Sequence, residues 1–346
     1  MKKILLITDD AFTYSGREKI CDFMTTTFTD GKNSVDVFSL KGNSPSFYNY
    51  KGAREIRTFA KCKFPIVSLI KSLKKETYDY IFVVSMGKLS VLFSFFLFFI
   101  RNIGAKFIAC EHVSLESLKP FIRFLKRIAL RKYDSVVVLT HRDKENLYRW
   151  GINSVVIENP VDYKGIKKNR RLYKAIAVGR LNKQKNFSEL IDIWSAFIIN
   201  YPHWELHILG DGEERLELQR KIEKLQLNDR VFLQGKVRNI EDYYIDADVC
   251  LMTSLYEGLP MALLEAKSYS LPVIAYDCPT GPKEIIENGN DGYVIDMHDS
   301  KEFLNKLTYI ATNDQAYFEF TRNTQKTCAR FQSENIKNKW IKLIYR

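Results

Sequence analysis

Short apolar runs separated by helical patterns recur along the whole chain, and this alternation constrains the fold more than any other feature. In the first half the runs lie at 4–8, 35–40, 80–85, 106–110, 135–139 and 155–157. Such alternation is typical of a parallel β-sheet, because consecutive parallel strands need a crossover connection long enough to hold a helix. The first half is therefore predicted to form one Rossmann-like, doubly wound α/β domain, residues 1–164.

The same pattern begins again in the second half. Its strand runs lie at 173–178, 204–209, 231–233, 249–252, 272–275 and 292–295. A chain of 346 residues is also long for one domain, because single hydrophobic cores stop growing beyond roughly 250 residues. We therefore predict a second Rossmann-like domain, residues 165–330, with a cleft between the two domains.

The sequence shows no pattern typical of export or membrane insertion. The six cysteines are scattered, without the short spacing of zinc or redox pairs, so they are predicted to be reduced thiols. The N-terminal run MKKILLIT is followed at once by Asp9 and Asp10, which favours a first strand over a signal peptide. The most apolar run, 89–100, is shorter than the ~20 residues that span a bilayer. We expect a cytoplasmic protein without a transmembrane helix.

Positive charge is concentrated in the N-terminal half. Residues 1–164 carry 27 Lys and Arg against 16 Asp and Glu, whereas the remainder carries 26 against 25. Within this half, segment 119–133 is predicted to form a basic amphipathic helix. Its apolar residues are Phe121, Phe124, Leu125 and Ile128, and its cations are Arg123, Lys126, Arg127, Arg131 and Lys132.

A basic amphipathic helix either packs on its own sheet as an ordinary surface helix or lies on a membrane. Because segments 119–133 and 89–100 both belong to the basic half, we predict that one of them contacts an anionic membrane surface. Nucleic acid is not predicted as a partner, since no recognisable binding module accompanies the charge. The protein is thus expected to be peripheral to the inner face of the cell membrane.

Ligands of doubly wound sheets bind beyond the carboxyl ends of the strands, so the loops there are candidate sites. The strand run at 173–178 leads into a loop that starts at Gly179 and contains Arg180 and Lys185. A glycine allows a ligand to approach the backbone, while Arg180 and Lys185 offer a fork of donors and a point charge to a diphosphate. The alternative is that both cations serve only solubility.

A second candidate loop follows the strand run at 249–252 and opens a helix. Backbone amides at a helix start bind phosphate, and Gly258 would let the anion approach. Glu257 lies at the mouth of this turn, where it can accept hydrogen bonds from sugar hydroxyls. Glu265, two helical turns on, could accept from two ribose hydroxyls. The alternative is an acid favoured by the helix dipole together with an ordinary surface glutamate.

Taken together, these residues resemble the donor site of retaining GT-B glycosyltransferases of family four. The matching features are the Glu257 and Glu265 pair with seven residues between them, the step Gly258-Leu259-Pro260, and the loop Gly179-Arg180 with Lys185. Further matches are Gly210-Asp211-Gly212, Glu158-Asn159-Pro160 and the segment 277–286. The last is similar to a subgroup that builds lipid-linked bacterial surface polysaccharides or oligosaccharides. The resemblance spans nearly the whole chain and is densest over 158–296.

The resemblance implies a GT-B fold in which the two domains face each other across a cleft and a helix at 331–346 crosses back to the first domain. It implies that a hexose or N-acetylhexosamine moves from a UDP-sugar to a saccharide acceptor, linked to a polyprenyl diphosphate, with retention of anomeric configuration. The setting would be capsule or O-antigen biosynthesis. No cofactor and no metal are expected, since Arg180, Lys185 and backbone amides would neutralise the departing diphosphate.

The resemblance also assigns residue roles. His112, which follows a strand run, would face the anomeric region of the sugar, and Glu257 would orient the donor; these are the predicted catalytic residues. Gly16 would lie near the diphosphate, although Ser15 replaces the first glycine of the pair found in relatives. The remaining predicted donor-binding residues are Arg180, Lys185, Gly258, Leu259, Pro260 and Glu265. Asp246-Ala247-Asp248 is interpreted as the lead-in to a strand and not as a metal site.

Two other functions remain open at this point. A UDP-sugar 2-epimerase on the same fold would keep the nucleotide site, but it would consume donor without an acceptor. A non-catalytic subunit could retain the fold and scaffold a membrane synthase. The presence of Arg180, Lys185, Glu257 and Glu265 together favours an enzyme.

Overall fold

The computed structural model describes residues 1–13, 16–43, 45–85, 87–100, 103–166 and 170–345. The chain forms two compact units, one made of 1–159 with 333–346 and the other of 160–332. These divisions lie within a few residues of those at 164 and 330 in the sequence-based prediction. The last helix, Ser333–Ile344, belongs to the first unit.

The first unit is built on a sheet of parallel strands in the order β3-β2-β1-β4-β5-β6-β7. The strands are β1 Lys3–Asp10, β2 Ser34–Lys41, β3 Glu55–Thr58, β4 Tyr80–Ser85, β5 Lys106–Glu111, β6 Ser135–Val138 and β7 Ser154–Val156. Successive side chains of a strand point to opposite faces. In β1, Leu5 and Ile7 therefore enter one core while Ile4 and Leu6 enter the other.

Helices cover both faces of this sheet. They are α1 Gly16–Asp30, α2 Pro65–Leu73, α3 Leu89–Ile100, α4 Pro120–Leu130, α5 His141–Arg149 and, from the end of the chain, α13 Ser333–Ile344. One core contains residues of α2, α3 and α5, and the other contains residues of α1 and α13. Among the described residues, none of the helices is both long and apolar enough to cross a membrane.

The second unit repeats this plan with strands in the order β10-β9-β8-β11-β12-β13. The strands are β8 Lys174–Val178, β9 Glu205–Leu209, β10 Val231–Gly235, β11 Val249–Met252, β12 Val273–Tyr276 and β13 Gly292–Ile295. The helices are α6 Phe187–Ile198, α7 Arg215–Lys224, α8 Ile240–Asp246, α9 Met261–Ser268, α10 Pro282–Ile285, α11 Ser300–Thr312 and α12 Asp314–Cys328. Because β8 and β11 are adjacent and parallel, the loops that follow them emerge side by side.

The predicted doubly wound fold is confirmed, and each predicted strand run forms a strand. Sequence reasoning missed β3, which pairs only with β2 at the sheet edge. Its sequence, Glu55-Ile56-Arg57-Thr58, is mostly polar because an edge strand is not buried on both faces. Hydrophobic periodicity therefore gives little signal there.

The amphipathic helix α4 forms, but the prediction was wrong in placing Lys126 among its surface cations. The Lys126 ammonium is buried, where it pairs with the Glu111 carboxylate and donates to Ser90 Oγ at 2.9 Å. A buried cation is tolerated only when it is paired and hydrogen-bonded. Helical periodicity alone could not reveal this pairing, because Glu111 and Ser90 lie on other elements.

The last helix is held in the first unit by a buried tryptophan. The Trp340 side chain is buried, and its ring makes edge contacts with Phe28 at 6.1 Å and Phe82 at 5.8 Å between ring centroids. Ile336 and Ile344 of the same helix are also buried. The first unit is thus completed by the segment 333–344, which lies far from the rest of it in sequence.

Replacing this tryptophan tests the assignment of α13. We expect Trp340→Ala to lower the free energy of unfolding of the first unit by about 3–5 kcal/mol, because a large buried ring is lost and a cavity remains. Chemical unfolding followed by far-UV circular dichroism measures the change. Lys342→Ala, an exposed position on the same helix, is the matched control and should shift stability by no more than about 0.5 kcal/mol. Equal effects of both variants would contradict the packing described here.

Candidate functional site

The loop after β8 starts with a glycine that lies under a lysine side chain. A Cβ atom added to Gly179 would come within 2.6 Å of Lys185 Cε and 2.8 Å of Lys185 Cδ. Real Cβ atoms do not approach so closely, so glycine at 179 allows the Lys185 side chain to fold back over its own loop. The loop ends at Asn186, which has a left-handed backbone with φ of 52° and precedes α6.

An ion pair joins this loop to the one that follows β11. Lys185 Nζ lies 2.6 Å from Glu257 Oε1, and the two side chains are 17% and 10% exposed. Such a partly buried pair is screened less by solvent than a surface pair. The structure thus brings together two of the predicted site residues.

The backbone supports the same junction between the two loops. Leu255 N donates to Gln184 O at 2.8 Å, and Gln184 Nε2 donates to Tyr256 O at 2.8 Å. Thr253 Oγ1 donates to the carbonyl of Asn186 at 3.0 Å. The position of Glu257 relative to Lys185 is therefore fixed by contacts on both sides.

A third loop, after β12, holds the turn that carries Glu257. Thr280 Oγ1 donates to the carbonyl of Glu257. Gly281 has φ of 99°, and an added Cβ would lie 2.4 Å from Pro260 Cδ and 2.5 Å from Gly258 O. Thr280 and Gly281 support this turn, and the sequence-based prediction did not name them among the site residues. The available signal was the turn sequence between Pro279 and Pro282, which follows a strand.

The turn from Glu257 leads directly into α9. Leu259 and Pro260 are buried, and Pro260 precedes the first helical residue, Met261. In the described residues, α9 starts without a side-chain cap and without an acidic residue in its first turn. The first turn of α9 therefore adds no negative charge at the positive end of the helix dipole, which suits an anion.

A buried hydroxyl, Ser254, precedes this turn, and a buried thiol, Cys278, lies in the loop after β12. Ser254 Oγ is buried and has no hydrogen-bond partner among the described residues. Burial raises the pKa of the Cys278 thiol to about 12, so the thiol stays neutral at physiological pH. A thiolate nucleophile at Cys278 is therefore not available for catalysis.

Glu265 lies in the second turn of α9 and is half-buried. Tyr244 Oη, on α8, donates to Glu265 Oε2 at 3.2 Å, and the Tyr244 ring stacks on Tyr269 with ring centroids 5.3 Å apart. Burial, followed by the nearby Glu265 carboxylate, raises the pKa of Tyr244 well above its usual value. Tyr244 therefore remains a hydrogen-bond donor that orients this carboxylate.

Arg180 does not join the Lys185–Glu257 pair. Its side chain is 71% exposed and lies 3.0 Å from Glu213 Oε2, in the loop after β9. That loop packs tightly against the β8 loop, because a Cβ at Gly210 would lie 1.9 Å from Gly179 O. An exposed ion pair contributes little stability, so the Arg180 guanidinium is free to exchange Glu213 for a bound anion.

Glu189 on α6 holds the end of the β8 loop, because its carboxylate contacts Asn186. Its carboxylate accepts hydrogen bonds from Tyr276 Oη at 2.6 Å, Ser300 Oγ at 3.0 Å and Asn186 Nδ2 at 2.5 Å, and lies 3.0 Å from His298 Nδ1. Burial alone would raise the pKa of Glu189, but these hydrogen bonds lower it overall. The carboxylate is thus held ionised, and sequence reasoning had given neither Glu189 nor His298 a role.

The other predicted site residues belong to the first unit. His112 follows β5 directly, is half-buried, and its backbone amide donates to Ser85 O at 3.1 Å. The preceding residue is Glu111 of the buried pair with Lys126. Gly16 is exposed at the start of α1, whereas Tyr14 and Ser15 lie outside the described residues. The placement of Gly16 near the diphosphate therefore stays a prediction.

The Asp246-Ala247-Asp248 sequence precedes β11. The Asp248 carboxylate accepts from Leu172 N at 2.8 Å, Lys174 N at 3.2 Å and Tyr317 Oη at 3.1 Å. These contacts tie the start of β8 to the start of β11. Across the described ranges, no group of three or more His, Cys, Asp or Glu side chains is arranged to hold a metal ion.

Comparison with known proteins identifies the second unit by sequence. Residues 161–327 match the family model described as "Glycosyl transferases group 1". Over 98% of this chain and 99% of the relative, the sequence is 33% identical to the amylovoran biosynthesis glycosyltransferase AmsD of Erwinia amylovora. It is 29% identical, over 70% of this chain and 69% of the relative, to an alpha-1,4-N-acetyl-D-galactosaminyltransferase of Campylobacter jejuni whose named substrate is a PP-undecaprenol-linked saccharide.

The fold also matches a solved structure over its full length. The crystal structure of Anabaena HepE in complex with UDP-glucose has a TM-score of 0.83 to this chain, covering 100% of both chains, at 19% sequence identity. At this level of identity the likeness concerns the fold. The predicted GT-B fold is therefore confirmed.

Gly281→Ala tests how the Glu257 turn is held. The added Cβ collides with Pro260 and with the Gly258 carbonyl, so we expect faster hydrogen–deuterium exchange across residues 257–264. We also expect a loss of about 1–3 kcal/mol in stability. Gly289→Ala is the matched control, because Gly289 also has a positive φ, of 78°, but nothing lies within 4 Å of its added Cβ. Unchanged exchange in Gly281→Ala, or an equal change in both variants, would show that Gly281 does not support the turn.

Proposed function

Because this chain belongs to the group 1 glycosyltransferase family, we propose that it transfers a hexose or N-acetylhexosamine from a UDP-sugar to a saccharide linked to a polyprenyl diphosphate. We further propose that it is a retaining, metal-independent enzyme of family four. The observation that carries the proposal is the ion pair of Lys185 with Glu257, which lies beside the start of α9, a helix without an acidic residue in its first turn. We assign the Lys185 ammonium of this pair to the phosphate and the Glu257 carboxylate to the sugar hydroxyls.

In this proposal the donor diphosphate binds against Lys185 and the first amides of α9, with Gly258 allowing close approach. A phosphate that draws Lys185 toward itself releases part of the Glu257 carboxylate, which then accepts hydrogen bonds from the sugar. Arg180 leaves its exposed partner Glu213 to add a second cation. Glu265, oriented by Tyr244, accepts from the ribose hydroxyls.

The chemical step needs no covalent enzyme intermediate. The bond between the anomeric carbon and the diphosphate oxygen breaks, and the acceptor hydroxyl forms the new bond on the same face. Its proton passes to the departing phosphate oxygen. Lys185 and Arg180 stabilise the charge on the diphosphate, a task that a divalent metal performs in other enzymes. No cofactor takes part. For His112, the proposed contact near the anomeric carbon rests on the family resemblance and on its position after β5.

The relatives support the choice of acceptor and setting. The Campylobacter jejuni relative is named for a PP-undecaprenol-linked substrate, and the Erwinia amylovora relative for amylovoran biosynthesis. The Anabaena structure contains UDP-glucose. We therefore place this enzyme in bacterial surface polysaccharide or oligosaccharide biosynthesis, of the capsule or O-antigen kind.

A lipid-linked acceptor calls for contact with a membrane, and the first unit carries a suitable surface. Helices α3 and α4 pack against each other, and both expose apolar side chains, which together we name the α3–α4 apolar face. It consists of Leu92, Phe95, Phe98, Phe99, Phe121, Phe124 and Ile128. Phe98 is 84% and Phe121 69% exposed. Exposed Arg127 and Lys132 lie among them, and Lys132 Nζ is 5.5 Å from the Phe95 ring centroid.

Large exposed apolar patches on a protein mark interaction sites, and aromatic side chains beside cations suit the interface of an anionic bilayer. We propose that this face docks on the cytoplasmic side of the cell membrane. Lys126 takes no part, because its charge is neutralised in the interior.

Glu257→Gln tests the proposed donor site. UDP-sugars are first screened for thermal stabilisation of the protein, and the best ligand is used to measure transfer and acceptor-free hydrolysis, with and without a chelator. We expect the variant to reduce turnover by about tenfold or more, because a preorganised polar contact to the donor is lost. Glu223→Gln, an exposed glutamate on α7, is the matched control and should behave as the wild type.

Each alternative outcome of this assay has a definite meaning. Near-normal turnover of Glu257→Gln would contradict the role of this residue. If none of the UDP-sugars stabilises the protein against heat, the proposed donor class is contradicted. If the chelator abolishes activity, the proposed metal independence is contradicted. Conversion of a UDP-sugar to an epimer without acceptor would favour the 2-epimerase instead.

Replacing three aromatic residues tests the docking face. We expect the combined variant Phe98→Ser, Phe121→Ser and Phe124→Ser to bind vesicles that contain phosphatidylglycerol at least about tenfold more weakly. The physical reason is that burying one such side chain contributes about 1.5–3 kcal/mol. Vesicle sedimentation measures the partition. The control replaces Tyr148, Ile199 and Leu216 by serine; these side chains lie outside the face and are between 72% and 83% exposed. An equal loss in both variants would contradict docking by this face.

A further inference from the structure

The first unit contains a cavity of about 480 Å³ at the carboxyl ends of β1 and β2, where these strands meet the starts of α2 and α3. This volume lies within the range of small-molecule pockets, which is ~300–1,000 Å³. Its walls are mainly apolar and include Ile66 and Leu92. Its polar lining consists of Asp9, Lys41 and Lys88. None of these residues belongs to the predicted donor site.

The charges in this cavity favour an anion. Lys41 Nζ pairs with Asp9 Oδ2 at 3.1 Å, so these two charges largely offset each other. Lys88 is exposed and has no ion-pair partner in the described part of the chain. The cavity therefore combines an excess cation, a second cation that can exchange its partner, and apolar walls.

This combination suits an amphiphile better than a saccharide. A saccharide needs many convergent hydrogen-bonding groups, and among the described lining residues only three side chains carry them. An amphiphile with a diphosphate head and a hydrocarbon chain would place its charges at the lysines and its chain on the apolar walls.

The cavity adjoins the α3–α4 apolar face, because Leu92 lines the cavity and also belongs to that face. Lys88 and Leu92 line the cavity, and Phe95 and Phe99 continue the same side of the helix at spacings of three and four residues. Leu92, Phe95 and Phe99 are all exposed. A hydrocarbon chain that leaves the cavity along this side of α3 would thus stay on apolar surface until it reaches the face proposed to dock on the membrane.

We propose that this cavity binds the diphosphate and the first isoprene units of the polyprenyl diphosphate acceptor, with Lys88 and Lys41 contacting the diphosphate. The inference rests on the proposed function, because that function supplies the lipid-linked acceptor. It adds the place where the lipid enters the protein and the residues that recognise its head.

Binding of a short soluble analogue tests the proposal. Farnesyl diphosphate, farnesol and inorganic pyrophosphate are titrated calorimetrically into the full chain. We expect farnesyl diphosphate to bind tightest of the three, because it alone engages both the lysines and the apolar walls. We expect the double variant Lys41→Gln and Lys88→Gln to weaken its binding at least about tenfold, as the loss of hydrogen bonds to charged groups implies.

Two further variants complete the design. The double variant Lys71→Gln and Lys74→Gln removes two exposed lysines of α2 and its end that do not line the cavity, and it should bind farnesyl diphosphate as the wild type does. Ile66→Trp fills the cavity without changing charge and should weaken binding of farnesyl diphosphate but not of pyrophosphate.

Several results would overturn the proposal. These are equal binding of farnesol and farnesyl diphosphate, equal binding of pyrophosphate and farnesyl diphosphate, or equal losses in the two lysine variants. UDP-sugar stabilisation is measured on the same samples. If the protein binds a UDP-sugar but fails the farnesyl diphosphate tests, the result contradicts the proposed lipid site and leaves the proposed function standing. If the protein passes the farnesyl diphosphate tests but binds no UDP-sugar, the result contradicts the proposed function instead.

Discussion

The ion pair between Lys185 and Glu257 joins the two loops on which the candidate site of the second unit depends. Its partners are 72 residues apart in sequence and meet because β8 and β11 are adjacent parallel strands whose loops leave the same edge of the sheet. Three neighbouring residues hold the two partners of this ion pair in position. Gly179 makes room for the lysine, Thr280 holds the glutamate backbone, and Glu189 fixes the end of the lysine loop.

The same arrangement explains why so many glycines gather at these loops. The loops after β8 and β9 approach each other at backbone distance, and so do the loops after β11 and β12. A side chain at Gly210 or Gly281 would therefore collide with a carbonyl of the neighbouring loop. Close backbone packing of this kind leaves little freedom for the polar groups above it. Electrostatic stabilisation of a charged ligand depends on such preorganised groups, because they need not reorganise when charge develops. The rigid loops are thus the physical basis of the proposed diphosphate site.

Much of the fold and of the candidate site could be predicted from sequence. The strands are buried, and the loops at their ends carry charged residues in a recognisable spacing. What could not be predicted depends on contacts between distant segments. The polar edge strand β3 gives no periodic signal, and the anchoring role of Glu189 appears only when α6, β12 and α11 are packed together. Lys126 was not missed but assigned wrongly. Its spacing on α4 suggested a surface cation, whereas the ion pair with Glu111 holds it in the interior.

That error changes the physical picture of the first unit. With Lys126 paired inside, α4 presents fewer cations and more aromatic surface than its sequence suggested, so apolar contact has the larger share in any docking on lipid. The buried pair also connects α4 to the end of β5, because Glu111 is the last residue of that strand. The next residue in the chain is His112. Removing either partner would leave a lone buried charge, which is strongly destabilising. Helix α4, which carries three of the seven residues of the apolar face, and the loop that carries His112 are therefore held in one position relative to each other. The apolar face is thus built into the same framework as the residue proposed to act near the sugar.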